Sequence, residues 1–151
     1  MNIFILDQDP VKCAEYMIDK HIVKMPLEYA QMLSTTCRLS GLDVGYKPTH
    51  KNHPCTKWAR ESMENYNYLK TLAFAVGNEY TRRYGKHHKS IELIKTFPIP
   101  NLRPLGLTPF AQAMPPQYKQ ENAVEAYREY YRREKMAFAS WKHGIVPDWI
   151  K

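Results

Sequence analysis

Lys24 and Glu28 stand four residues apart, and His21 stands three before Lys24. On a continuous helix this spacing puts an imidazole, an amine and a carboxylate on one face. Such a trio can exchange protons, and a lysine drawn out of water there can attack an electrophilic carbon. Lys24, Glu28 and His21 are therefore the expected catalytic residues. Pro26 falls inside the trio and bends or ends a helix. The competing reading is a Lys24–Glu28 surface pair beside a hydrogen-bonded histidine.

A second chemical cluster spans Tyr46 to Tyr68, YKPTHKNHPCTKWARESMENYNY. Lys47, His50, Lys51 and His53 lie in a loop broken by Pro48 and Pro54. Pro54 suits a first helical position, with Asn52 or His53 as the cap. Cationic and imidazole side chains at a helix start favour a bound anion, because free N–H groups and the helix dipole point there. Lys47, His50, Lys51, His53 and Arg60 are the expected phosphate contacts. Asn65 falls on the core-facing stripe, where a buried amide must find partners or reach a ligand. Lys57/Glu61 and Arg60/Glu64 are spaced as solvated helix pairs.

Beyond this stretch, QAMPPQYK sets Gln112, Tyr118 and Lys119 beside a rigid double proline. Tyr118 and Lys119 are expected to line a ligand lid. Metal binding is not expected. His50, His53 and Cys55 lack a fourth ligand. His87 and His88 follow the long helix, roughly 45 Å from its start at 1.5 Å per residue. No cofactor motif is present.

These side chains need elements to hold them. Residues 2–6 read as a short buried strand or extended segment. Asp9-Pro10 starts a helix over 10–23, Pro26 kinks or ends it, and a second helical stretch runs from 26 to 40. Residues 41–53 are loop. A long helix follows from 54 to about 84, with Trp58, Asn65, Leu69, Leu72, Val76 and Tyr80 as its core stripe. A short helix spans 89–96. Residues 97–116 form a proline-rich connection too long to be neutral in a compact domain. A last helix covers 121–143, in which tyrosines interleave with Arg128, Arg132, Arg133 and Lys135. The apolar tail, with Ile145, Val146, Trp149 and Ile150, should fold back. The expected fold is mainly α: one helical domain over 1–151 with a long central helix and a proline-rich connecting loop.

The chain of 151 residues carries a net charge of +7, with 44% hydrophobic and 13% aromatic residues. The basic excess favours anionic partners, and abundant rings offer faces for bases. No apolar run approaches a membrane span, and no signal peptide is recognised, so a cytoplasmic location without membrane contact is expected. Cys13, Cys37 and Cys55 form no paired motif and read as reduced, buried thiols.

LDQDPVKCAEYMIDKHIVKM, YKPTHKNHPCTKWARES and QAMPPQYK, followed by AYREYY, resemble small proteins of tailed phages that infect enterobacteria and cyanobacteria. The host cytoplasm is the location this implies. Relatives often carry a histidine at the position of Met17 and an apolar residue at that of Pro26. A weaker similarity is to the phage pyrimidine-dimer DNA glycosylases with AP-lyase activity. Asp19-Lys20-His21, Glu28, a long central helix and an aromatic-rich tail carry it. That similarity implies an amine attacking the sugar C1′ carbon with a glutamate assisting. Such enzymes use an N-terminal amine exposed by removing Met before a small residue. Asn2 is not small, so the expectation here is a retained Met1 and a lysine amine, Lys24 or Lys47.

Three functions stay open at this point. One is a nucleic-acid- or nucleotide-directed enzyme of the glycosylase/lyase type, using a Lys amine and Glu28. Another is a non-catalytic, homo-oligomeric binder that sequesters a host nucleotide signal. The third is a takeover factor that binds a host protein.

Overall fold

In the computed structural model, which describes residues 1–150, Asp9 accepts a hydrogen bond from the Val11 N–H and Pro10 takes the first helical position. Helix α1 accordingly runs Pro10–Tyr16. The chain then breaks at Met17 and Ile18, both extended. Helix α2 covers Asp19–Leu39 with Pro26 inside it. The sequence pattern placed the interruption at Pro26; it lies eight residues earlier. An interior proline costs about 3 kcal/mol. Ile22, Met25, Tyr29, Met32 and Leu33 are all fully buried along this helix. Each such side chain contributes about 1.5–3 kcal/mol, so burial outweighs the proline. At the actual break, the Met17 carbonyl accepts from Arg83 Nη1 instead of from a helical N–H.

The expected helix over 54–84 is also two. Helix α3 is Pro54–Glu61, capped by His53, whose ring accepts from the Cys55 N–H. Ser62 is extended and caps α4, Met63–Tyr84, by accepting from the Asn65 N–H. The Ser62 hydroxyl then donates to the Gly106 carbonyl. Gly85, in the left-handed conformation that glycine adopts without strain, ends α4. Helix α5 is Lys89–Ile94 and α6 is Ala123–Glu134. The last helix thus stops nine residues short of the expected 143. Three short 3₁₀ turns, at 116–118, 136–138 and 148–150, complete the described residues, which contain no strand.

Helix α4 is the central element, with α1, α2, α3 and α5 against it. The predicted stripe of Trp58, Asn65, Leu69, Leu72, Val76 and Tyr80 is buried, now shared between α3 and α4. Residues 2–6, expected as a strand or extended segment, pass through this core as irregular chain that turns at Phe4. The proline-rich connection is held by buried polar groups of α3 and α4. Asn65 Nδ2 donates to the Trp58 carbonyl and to Thr108 Oγ1, and Asn65 Oδ1 accepts from the Thr108 N–H. Trp58 Nε1 donates to the Thr108 carbonyl, and the Gly106 N–H donates to Glu64.

The tail folds back in part. Trp141 Nε1 donates to the Tyr16 carbonyl and Trp149 packs on Tyr16 and Tyr131. Ile145, expected inside, is 86% exposed. The three cysteines are free and buried, and burial pushes the Cys13 and Cys55 thiols up to about 12. No described helix is long and apolar enough to cross a membrane.

Candidate active site

The first four residues form a hook. The Ile3 and Phe4 N–H groups both donate to Asn2 Oδ1, at 2.7 and 3.0 Å. Asn2 Nδ2 donates to the Ala113 carbonyl at 2.7 Å, and the Tyr29 hydroxyl donates to the Ile3 carbonyl. Phe4 has φ +47°, a left-handed conformation that a bulky residue keeps only when its surroundings enforce it. The surroundings are aromatic. Phe4 stacks on His21 with centroids 4.1 Å apart, and on Tyr130 at 6.2 Å. Tyr118 continues the run, stacked on Tyr130 at 5.7 Å. Lys135 Nζ lies 4.8 Å from the Tyr130 centroid.

The hook delivers the Met1 α-amine to Glu28. Its nitrogen is 3.5 Å from Glu28 Oε1, and the Met1 side chain is only 2% exposed. The residue as a whole is partly exposed, so its open part is the main-chain end that carries the amine. Lys24 Nζ is 3.5 Å from the other carboxylate oxygen, on a side chain that is 64% exposed. Because α2 is continuous through Pro26, Lys24 and Glu28 keep their i, i+4 relation. Each oxygen of this nearly buried carboxylate thus faces one amine.

The 46–53 loop lies along the same side of α2. The Tyr46 N–H donates to Ser34 Oγ, and the Thr49 N–H donates to Thr35 Oγ1. Thr35 is seven residues from Glu28 and shares its stripe. The loop ends with His53, whose proton affinity is lowered by burial and by the positive fields of the Met1 amine and His50. The Glu28 charge partly opposes this. Cys55 feels the same amine and carboxylate from beneath. Met1, Glu28 and Lys24 therefore converge, and the fields of Met1 and Glu28 reach His53.

Other residues singled out by spacing lie apart. His21 makes no hydrogen bond to Lys24 or Glu28. Its Nδ1 sits 2.6 Å from the Tyr131 hydroxyl, and its ring is 5% exposed against Phe4. Asn65 spends its amide hydrogens on the Trp58 carbonyl of α3 and on Thr108 Oγ1 of the proline-rich loop, leaving none for a ligand. Lys47, His50 and Lys51 are exposed; His50 has φ +49° and pairs with its neighbour Thr49. Lys119 borders a shallow cavity with Pro54, Phe110, Gln112, Gln120 and Glu121, and Tyr118 is the outer ring of the stack. Arg60 lies at the far end of α3. Among the described residues no group of three His, Cys, Asp or Glu side chains is placed to hold a metal. Met1, Asn2 and Phe4 carry no spacing signal; only the hook brings them to Glu28.

The burial of His21 has a measurable consequence. Burial first, then the positive fields of Lys135, Lys24 and Lys20, lowers its pKa from 6.5 to about 3. Below pH 6.5 the unfolded chain gains a proton at this ring that the folded chain refuses, so stability falls with pH until about 3. The slope approaches about 1.4 kcal/mol per pH unit from this group. Urea unfolding at pH 7, 6 and 5 should show the decline, and His21→Phe should flatten it. An equal decline in the variant would assign the acid sensitivity elsewhere.

A protein-family model described as pyrimidine dimer DNA glycosylase matches residues 1–93. No curated protein and no solved structure matches the chain. The matched span contains Met1, Lys24, Glu28 and His53, and it covers more than half of the sequence. By that match the chain belongs to the pyrimidine dimer DNA glycosylase family.

Proposed function

We propose that this chain is a DNA glycosylase acting on pyrimidine-dimer lesions, with the Met1 α-amine as nucleophile and Glu28 as its proton acceptor. The observation that carries the reading is the amine held 3.5 Å from Glu28 by a hook that is itself hydrogen-bonded at Asn2. The amine attacks the sugar C1′ carbon as the glycosidic C1′–N bond breaks, and the bonding pair leaves with the base. Glu28 takes the proton that the amine must shed. As the C1′–O4′ bond opens, its electron pair stays on O4′, which takes the proton back from Glu28, and the nitrogen lone pair forms a C1′=N iminium that hydride can reduce to a stable amine.

Two amines face Glu28, and Met1 is the better placed. Its side chain is locked in the core, whereas Lys24 is 64% exposed and must give up hydration and rotamer freedom to reach an attacking geometry. α-Amines as a class also shed their proton about 2–3 pH units below lysine ammonium groups. Lys24 and His53 instead contribute positive charge and a ring nitrogen beside the site.

Borohydride trapping on duplex DNA with an abasic site tests this. Peptide mapping should find the adduct on residue 1, with an intact-mass measurement showing that Met1 is present. A two-residue extension before Met1 should abolish the adduct while Lys24→Ala retains it. An adduct on Lys24 would transfer the nucleophile to α2. No adduct with any variant would remove covalent catalysis.

A further inference from the structure

Helix α3 begins at the candidate active site and carries cations away from it. His53, Lys57 and Arg60 are spaced i, i+4 and i+7 and so share one stripe of this helix. The spacing pattern paired Lys57 with Glu61 and Arg60 with Glu64. Neither pair forms among the described residues. Glu64 is diverted: its carboxylate accepts from the Gly106 N–H at 2.8 Å and clamps the proline-rich loop. The same loop brings Arg103 to the end of α3. Arg60, Glu61, Asn101, Leu102, Arg103 and Leu105 then line a surface cavity of about 440 Å³. Arg60 Nη1 is buried and has no hydrogen-bond partner among the described residues. An unpaired buried guanidinium nitrogen is costly unless something outside the chain completes it.

We propose that Arg60 and Arg103 together hold one phosphodiester of a DNA strand, with Lys57 guiding the backbone between this cavity and the Met1–Glu28 site. The inference rests on the glycosylase reading for what lies at the other end of the stripe. A phosphate offers acceptor oxygens that suit two guanidinium forks, and Arg60 and Arg103 line one cavity with no carboxylate ion-paired to either among the described residues. Seven residues of helix span about 10 Å. That is about three phosphate steps along a strand of B-form DNA, at 3.4 Å of rise each. Glu61 also lines the cavity and lies beyond ion-pair distance of either arginine.

The test is the salt dependence of binding to a short duplex carrying a stable abasic analogue. Arg60→Gln and Arg103→Gln should each flatten the slope of log affinity against log salt by nearly one, and each should weaken binding about tenfold near 0.1 M salt. The double variant should lose little more than either single, because both side chains serve one phosphate. Lys57→Gln, on an exposed side chain, should also flatten the slope and carries little folding risk. A scan of single neutral methylphosphonate linkages against the unaltered protein should reveal one sensitive phosphate about three steps from the lesion, and Arg60→Gln should bind that duplex no worse than the unaltered protein does.

Unchanged slopes in folded arginine variants, or no sensitive linkage in the scan, would overturn the proposal. Fully additive losses would overturn the shared phosphate. Borohydride trapping at saturating DNA separates the two ideas. Adduct without a slope change removes this surface and leaves the reaction; a slope change without adduct does the reverse.

Discussion

Glu28→Gln should lower the single-turnover rate of adduct formation on abasic DNA by about 10²–10⁴-fold, the usual worth of a positioned general base, with little loss of duplex affinity. The amide keeps the size of the carboxylate and a carbonyl oxygen toward Met1, but it cannot accept the amine's proton. Lys24→Ala should have a much smaller effect, because Lys24 reaches the opposite oxygen from a 64% exposed position. The stability of Glu28→Gln should remain close to that of the parent, since a pair with one exposed partner contributes about 0–1 kcal/mol. Rapid-quench borohydride trapping measures the rate, and a salt-matched binding isotherm measures affinity. A variant that reacts at the parental rate would reduce Glu28 to an ion-pair partner of the hook.

Arg83→Ala should destabilise the fold by about 3–5 kcal/mol, the cost of breaking a buried charge network from one side. The Arg83 side chain is fully buried. Its Nε donates to Glu79, its Nη1 to the Met17 carbonyl and to Asp19, and its Nη2 to the Glu15 carbonyl. One side chain thereby fastens α4 to the α1–α2 break. Asp19 extends the network to the tail by accepting from the Ser140 hydroxyl and the Lys142 N–H. Arg82 also pairs with Glu79 and donates to the His143 carbonyl. Since domains are stable by only about 5–15 kcal/mol, the loss should lower Tm by on the order of 10 °C. The expected change is in melting temperature and urea midpoint; a drop of a degree or two would show that solvent or a rearranged network compensates.

Acid titration of the same network has a defined sign. Burial raises the pKa values of Asp19 and Glu79, but hydrogen bonds outweigh it and hold both below the ordinary carboxylate range. They come from the Lys142 N–H, Ser140 and Arg83 to Asp19, and from Arg82 and Arg83 to Glu79. Groups depressed in the folded state stabilise it above their unfolded values, near 4, and lose that contribution as pH falls through the folded values. In Arg83→Ala this acid loss should shrink, separately from the His21 effect that begins near pH 6.5.

Local chemistry was legible along the chain wherever one turn of backbone decides the outcome. Asp9-Pro10, His53-Pro54 and Gly85 mark helix ends that form as their types require, since caps are satisfied within a few residues. The apolar period assigned the buried face of α3 and α4, and i, i+4 spacing joined Lys24 to Glu28. Ser62 was a readable cap inside an otherwise helical pattern, but the apolar period ran across it and concealed the break.

Contacts between distant segments decided the rest. Asn2 meets Ala113, Arg83 meets Met17, and Glu64 meets Gly106, and no local period encodes such pairs. The first contact helps bring the Met1 amine to Glu28, where side-chain spacing had offered only Lys24. Similarly, Phe4 and Tyr131 turn His21 into the core and away from the trio that its spacing suggested. Glu64, taken by the loop, leaves Arg60 unpaired. Composition and periodicity thus determined a basic, helical protein with a carboxylate and an amine on one helix face. Which amine, which histidine and which arginine remain available was decided only by packing, because a polar side chain takes the partner that burial leaves within reach.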